Sequence, residues 1–486
     1  MEIQVRGGAS LRGHVRPPGD KSISHRALIL SALAEGESQI FGLSDGEDVG
    51  RTASALSAMG AAISLPDDIG SPEAEVRVVG GKLSEPSEPL YLGNSGTSMR
   101  LLAGVCAAHQ MDVILDGDES LRSRPMQRIV EPLSLMGATV ASASEIDASE
   151  SDVSVSQAIS KAIPSKAAPP IAIKGGNLSG IDYTLPVASA QVKGAILLAG
   201  LRANGETIVR EFLPSRIHTE EMLAKCGADI AVTYGGEFHQ TTKLRPSQIQ
   251  PHIWHIPADP SQAAFWIVAA LCAPTSEIVV ENVYIGPGRE GFIDVLLRMG
   301  AKMEFEQKIS TSTSESLPDT LSRSIPSRGI PPSGIPSIRA QTSSLIATDI
   351  GPKEVPRLID EIPVLAVAAA YAQGITRFHG VGELRTKESD RVASICTMLR
   401  SLGGQIEAEG DTLTIQGTGG LQHGQVDAAG DHRIAMSAAV SAMAMPAGSE
   451  VSISGWEAVA TSYPRFLEDA AALGVRAQGT TAQWTT

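Results

Sequence analysis

The chain has 486 residues, too many for one ordinary hydrophobic core, so two or more domains are expected. Lys and Arg total 39 against 54 Asp and Glu, a net charge of -15. That balance argues against nucleic acid or an anionic membrane as partner, since both recruit cationic surfaces.

The first element in chain order is a polar, cationic head at Pro18–Arg26 that opens into the uncharged run Ala27–Ala34. Asp20 or Ser22 can cap the first helical turn, whose free N–H groups favour an anion. Ser22 and Arg26 stand four apart and share one helical face. Lys21, Ser22 and Arg26 together suggest a phosphate or carboxylate site. The same head could also be a capped helix with solvated charges.

The pattern then recurs. Six strongly apolar helices are expected at Ser22–Leu33, Thr97–Ala108, Ala190–Leu201, Ser261–Cys272, Ile362–Gln373 and His432–Met445. Their bodies are apolar nearly all round, as in helices buried within a domain. Six amphipathic helices alternate with them and end on Gly60, Gly137, Gly227, Gly300, Gly403 and Gly474. Glycine fits the left-handed residue that closes a helix. Strand-like runs follow most helices, among them Met111–Leu115, Thr207–Val209, Glu277–Val280 and Lys302–Phe305. The unit reads strand, buried helix, strand, amphipathic helix, strand, repeated six times, which displaces a simple dinucleotide-fold reading. Two Ser-rich stretches, Ala141–Pro170 and Ser310–Ser344, are expected as long surface loops.

Polar groups gather at the heads of the buried helices. They are Lys21, Ser22 and Arg26; Asn94–Thr97 with Arg100; Ser189, Ala190 and Gln191; Asp259–Ser261; Asp360 and Glu361; and Asp431–Arg433. The amphipathic set adds Arg122, Arg124, Arg216 and the run Lys387–Arg391. An arginine-rich surface in an acidic protein implies a substrate with several negative charges. Asp360, Glu361, Glu388 and Asp390 either neutralise these cations or, buried beside a ligand, act as acid and base.

Other chemistries lack their motifs. No GxxxxGK[ST], GxSxG or HExxH occurs, and Gly93–Thr97 is too short for a dinucleotide fingerprint. His218 and His432 have no metal-like partners at helical spacing. The four cysteines, Cys106, Cys226, Cys272 and Cys396, are scattered without CxxC spacing and are expected as reduced core residues. No signal-peptide pattern or apolar run of membrane-spanning length is evident. The expectation is therefore a soluble, cytoplasmic protein.

Six segments in order carry a resemblance: PGDKSISHR at Pro18–Arg26, LGNSGTSMR at Leu92–Arg100, RSRP at Arg122–Pro125, LPVASAQVK at Leu185–Lys193, KESDR at Lys387–Arg391 and GDHR at Gly430–Arg433. Together they resemble the 5-enolpyruvylshikimate-3-phosphate synthase family of enolpyruvyl transferases. The resemblance implies an α/β fold of two similar domains, each an inverse α/β barrel of three repeated βαβαβ-type units, with the active-site cleft between them. It implies domains at 20–256 and at 1–19 plus 257–486, with Lys21 beside a hinge.

The implied reaction moves the enolpyruvyl group of phosphoenolpyruvate to the 5-hydroxyl of shikimate 3-phosphate and releases phosphate. The resemblance assigns shikimate 3-phosphate to Lys21, Ser22, Arg26, Ser189, Ala190, Gln191, Arg216, Asp360 and Lys387. It assigns phosphoenolpyruvate to Lys21, Gly96, Arg124, Gln191, Arg391 and Arg433. Asp360 would handle the hydroxyl proton, Glu388 would protonate the methylene carbon, and Lys21 would assist both. The resemblance implies neither metal nor organic cofactor; it implies a monomer, as is usual in the family. Gly96 implies sensitivity to glyphosate, because a methyl there would intrude beside the phosphoenolpyruvate site.

Three positions depart from family usage. Ala190 stands where some members have serine, Thr461 where some have a substrate-binding lysine, and His25 where asparagine is common. The replacement at His25 has no consequence evident in the sequence. The nearest rival is UDP-N-acetylglucosamine enolpyruvyltransferase, which usually has a cysteine in the loop occupied here by Glu119–Pro125. A non-catalytic binder of sugar phosphates would need the cations but not both Asp360 and Glu388.

Overall fold

The computed structural model describes residues 1–142, 167–306 and 335–479. The chain forms two compact units, Gly19–Ile256 and Met1–Pro18 together with Pro257–Thr486.

In the unit Gly19–Ile256, three buried helices run over Lys21–Leu33, Gly96–Ala107 and Ala190–Gly200. Each is started by a side-chain cap. Asp20 accepts from the Ile23 N–H, Ser95 from Ser98, and Ser189 from Val192. Their bodies are then free to bury Leu, Ile and Val, each contributing about 1.5–3 kcal/mol. Close approach also needs small residues. A Cβ on Gly104 would lie 2.2 Å from the Ala195 carbonyl oxygen, so only glycine lets these two helices touch along their backbones.

Three amphipathic helices, Glu47–Ala58, Gln127–Met136 and His218–Lys225, alternate with the buried set. Across both units, the six glycines expected to close such helices have φ between +76° and +110°. Each repeat builds one four-stranded sheet, so this unit has three among its described residues. The second sheet shows the rule. Leu90–Tyr91 pairs parallel with Asp112–Asp116, which pairs antiparallel with Ile171–Lys174, itself antiparallel to Thr139–Ser142. The first sheet is completed by Ile253–His255, from the far end of the unit, beside Gly36–Phe41.

The other unit repeats this plan. Its buried helices are Pro260–Cys272, Ile362–Tyr371 and His432–Met443, and all three pack on one another. Its amphipathic helices are Gly291–Arg298, Arg391–Ser401 and Phe466–Ala472. The strand Arg12–Val15 pairs parallel with Glu277–Val280, and Glu2–Arg6 lies between Glu450–Ser454 and Ala477–Gly479. The first residues therefore complete two sheets whose other strands all lie beyond residue 257. The architecture is two similar inverse α/β barrels, each of three repeats.

Two details differ from the sequence expectation. Every repeat carries a fourth strand, as in the tight hairpin of Gln405–Glu409 with Thr412–Thr418, where interleaved Gln, Glu and Thr residues conceal two short strands. The expected loop Ser310–Ser344 also runs too far. Residues 337–341 form a strand whose Ile338 and Ala340 are buried, and its Ser and Gln residues masked the alternation. The remainder of that loop to residue 334, and most of the expected loop Ala141–Pro170, lie outside the described residues.

Candidate active site

Lys21 is the first residue of its helix, and its Nζ lies 2.8 Å from Asp48 Oδ2. Asp20, not Ser22, caps that helix, which leaves the Ser22 hydroxyl to accept from Arg216 at 3.4 Å. Arg26 is buried one turn on. Its Nε donates to Thr219 Oγ1 at 2.8 Å, and one terminal nitrogen to the Ser22 carbonyl at 2.9 Å. The other donates to Gln191 Oε1 at 3.1 Å and the Ala190 carbonyl at 3.4 Å. Burial pushes the Arg26 guanidinium down to about 10, against the attraction of Glu220 and Asp20.

Gln191 donates in turn to Thr97, the residue after Gly96. A Cβ on Gly96 would lie 2.8 Å from Arg100 Nη1 and 3.1 Å from Arg124 Nη1. Arg124 is 6% exposed and donates to Asn94 Oδ1 and to Ser120. Lys21, Ser22, Arg26, Gly96, Arg124, Ser189, Ala190, Gln191 and Arg216 thus belong to one connected group of helix heads. Arg122 does not join it, being half-exposed and paired with Asp116 at 2.5 Å.

In the other unit, Arg391 organises the polar residues. It is fully buried, with Nε 2.8 Å from Asp431 Oδ2, a terminal nitrogen 2.5 Å from Glu388 Oε2, and the other 3.4 Å from Asp360 Oδ1. Burial opposes its charge, but Asp431, Glu388 and Asp360 outweigh that cost and raise its pKa. Asp360 and Glu388 keep 15% and 20% side-chain exposure while Arg391 has 0%, so the carboxylates face outward and the cation lies behind. Lys387 Nζ is 3.6 Å from Asp360, and Arg433 donates to the Asp360 carbonyl at 2.9 Å.

Lys387 and Arg391 stand four apart in the sequence but not on one helix. The helix begins at Arg391, and Lys387 is extended at the end of a preceding turn. Both still reach Asp360. Of the other acidic residues, Glu361 faces Arg289 at 3.9 Å, while Asp390 caps the Arg391 helix and pairs with Arg385 near the surface.

A model of the EPSP synthase (3-phosphoshikimate 1-carboxyvinyltransferase) family matches residues 5–470. The chain belongs to the EPSP synthase family. A 3-phosphoshikimate 1-carboxyvinyltransferase of Nitrosococcus oceani is 41% identical over 98% of this chain and 96% of its own. One from a Synechococcus species is 42% identical over 97% and 99%. EPSP synthase from Acinetobacter baumannii superposes with a TM-score of 0.77 at 35% identity, covering 99% of this chain and all of that one. The enolpyruvyl transferase NikO from Streptomyces tendae, at 17% identity and a TM-score of 0.71 over 99% of both chains, shares the fold.

In this EPSP synthase-family chain, several contacts of the candidate residues are not legible in the sequence. Asp48 meets Lys21 from a different helix. Asp431, one of the polar helix-head residues, accepts from Arg391, Ser389 and the Arg433 N–H. The third case is His25. Its Nδ1 lies 2.8 Å from Thr52 Oγ1, which lies 2.6 Å from Ser98 Oγ, and Ser98 meets the cap Ser95 at 2.7 Å. The imidazole therefore ties together the helices that carry Lys21, Asp48 and Gly96, a consequence hidden in the sequence.

Burial, then Lys21 and Arg26, hold the His25 pKa well below its ordinary value. Below about pH 6.5 the unfolded chain takes up a proton that the folded chain refuses, so folding stability falls as pH drops. Above that pH the contribution is fully present. Between pH 6.5 and 5 the unfolding free energy of the wild type should approach a loss of about 1.4 kcal/mol per pH unit relative to His25→Asn. Denaturant titrations at several pH values check this, and parallel pH profiles would exclude it.

Proposed function

We propose that this chain transfers the enolpyruvyl group of phosphoenolpyruvate to the 5-hydroxyl of shikimate 3-phosphate, releasing phosphate. The observation that carries the reading is one buried guanidinium, Arg391, holding the two outward-facing carboxylates Asp360 and Glu388. A binding protein needs only the cations, whereas proton transfer at two substrate atoms needs acid–base groups at both, and Asp360 and Glu388 can supply them.

In the proposed sequence, the 5-hydroxyl oxygen attacks C2 of phosphoenolpyruvate while Asp360 receives the hydroxyl proton. Glu388 delivers a proton to the methylene carbon, and the double bond becomes a methyl group. The tetrahedral adduct then loses a methyl proton and expels phosphate, restoring the double bond, so acid and base exchange roles. Lys21, Arg124, Gln191, Arg391 and Arg433, with the space at Gly96, serve phosphoenolpyruvate. Lys21, Ser22, Arg26, Ser189, Ala190, Gln191, Arg216, Asp360 and Lys387 serve shikimate 3-phosphate. Their cationic groups stabilise charge as it develops. The proposal includes a monomeric protein of the cytoplasm; no helix among the described residues is long and apolar enough to cross a membrane.

A phosphate-release assay with phosphoenolpyruvate, offering shikimate 3-phosphate and UDP-N-acetylglucosamine separately, tests the reading. Turnover with the first alone is expected; turnover with the second alone would replace it. The rival usually works with a cysteine in the loop occupied here by Glu119–Pro125, which has none. Burial pushes the thiols of Cys106 and Cys226 up to about 12.

Gly96→Ala gives a second test. The added methyl meets the ends of two guanidinium groups, Arg100 and Arg124, rather than backbone. The fold should survive while Arg124 shifts. The KM for phosphoenolpyruvate should rise about tenfold, equivalent to about 1.4 kcal/mol, and inhibition by glyphosate should weaken. Steady-state kinetics with an inhibitor titration measure both, and unchanged values would remove Gly96 from the site.

A further inference from the structure

Lys193 is 0% exposed and lies between two carboxylates, 2.5 Å from Glu211 Oε2 and 2.7 Å from Glu220 Oε1. Gln240 also donates to Glu220 Oε1, at 2.7 Å. Glu220 Oε2 and Glu211 Oε1 are buried and accept no hydrogen bond among the described residues. Arg26 is close by. Thr219, next to Glu220, accepts from Arg26 Nε, and Ala190 and Gln191, on the helix of Lys193, accept from its other nitrogen. A Cβ on Gly194 would lie 2.9 Å from Thr219 Oγ1 and 3.4 Å from Arg26 Nη2, so the absent side chain lets the groups converge.

No carboxylate among the described residues forms an ion pair with Arg26, although Glu220 exerts the strongest attraction on it. The two cations and two carboxylates form a neutral, buried set with an uneven arrangement. Both carboxylates are drawn to Lys193, and the Arg26 guanidinium is left with neutral acceptors.

We propose that Lys193 is a positioning residue that holds Glu220 away from Arg26, keeping that guanidinium electropositive for the phosphorylated substrate. This rests on the assignment of Arg26 to shikimate 3-phosphate. Without the ammonium, the idle oxygen of Glu220 is drawn to the Arg26 guanidinium, on which Glu220 already exerts the strongest attraction. An Arg26–Glu220 pair would compete with the substrate anion in a site where neither partner is hydrated.

The test compares two variants of equal charge that differ only in which glutamate remains. Lys193→Met with Glu211→Gln keeps Glu220 beside Arg26. Lys193→Met with Glu220→Gln keeps Glu211, on the strand Thr207–Glu211, from which no hydrogen bond or ion pair reaches Arg26 among the described residues. Calorimetry with shikimate 3-phosphate should show the first variant binding about 10- to 100-fold more weakly than the second, the size of one charged hydrogen bond. The second should bind like the wild type, and turnover at saturating substrate should stay near wild type in both. Equal affinities for the two variants, or the reverse order, would overturn the proposal. Because each variant keeps one buried carboxylate, general loss of stability affects both alike. Failure of the wild type to bind shikimate 3-phosphate would instead refute the assignment of Arg26.

Discussion

Glu388→Gln is expected to lower turnover by about 10²- to 10⁴-fold while both substrates still bind. The side chain holds one oxygen on Arg391 and remains partly exposed, so it is anchored at one end and reachable at the other. Glutamine preserves size and can still accept from Arg391. It cannot give up and regain the proton that the methylene carbon of phosphoenolpyruvate must take and lose. Product formation per unit time, with calorimetric binding of shikimate 3-phosphate, separates chemistry from affinity. Turnover within twofold of the wild type would remove Glu388 from the proposed mechanism.

Asp431→Ala should have the largest effect on stability. Its two oxygens accept from Arg391, from Ser389 and from the Arg433 N–H, all in a position with no solvent exposure. Removing one partner from a buried ion pair typically costs about 3–5 kcal/mol. Glu388 and Asp360 remain near Arg391, but neither caps the helix His432–Met443 as Asp431 does. Loss of that cap adds about 1 kcal/mol. Asp431→Asn should fall between the two, because it keeps an acceptor for the helix and loses only the charge. The urea midpoint measures the order wild type, Asn, Ala. A loss below about 1 kcal/mol in the alanine variant would show that Glu388 and Asp360 suffice for Arg391.

The same residues show why parts of this site are legible in sequence. Gly60 or Gly403 announces a helix end because the left-handed turn it permits is set within one residue. Asp20, Ser95 and Ser189 announce helix starts, since each bonds an N–H only three residues on. Such signals depend little on the rest of the chain, and they locate the cationic heads together with the sixfold repeat. Asp48, His25 and Lys193 carry no comparable signal. A buried histidine bonded to Thr52 and a lysine bonded to Glu211 and Glu220 look, in sequence, like any polar residue on a helix. The strand 337–341 was obscured for a related reason, because its burial depends on neighbouring strands more than on its own composition.

By itself the sequence determined the family, the alternation of buried and amphipathic helices, and the residue types at each helix head. These follow from contacts within one helical turn or from motifs that remain contiguous. Tertiary structure alone decided which charges meet. Arg391 pairs with Asp431 and Asp360 across 40 and 31 residues, and Arg26 reaches Thr219 across 193. In a low-dielectric interior a cation is neutralised by whichever carboxylate packing brings within a few ångströms, and chain separation does not enter that energy. The outcome is opposite at the two guanidinium groups: Arg391 is enclosed by carboxylates, whereas Arg26 has none in contact among the described residues.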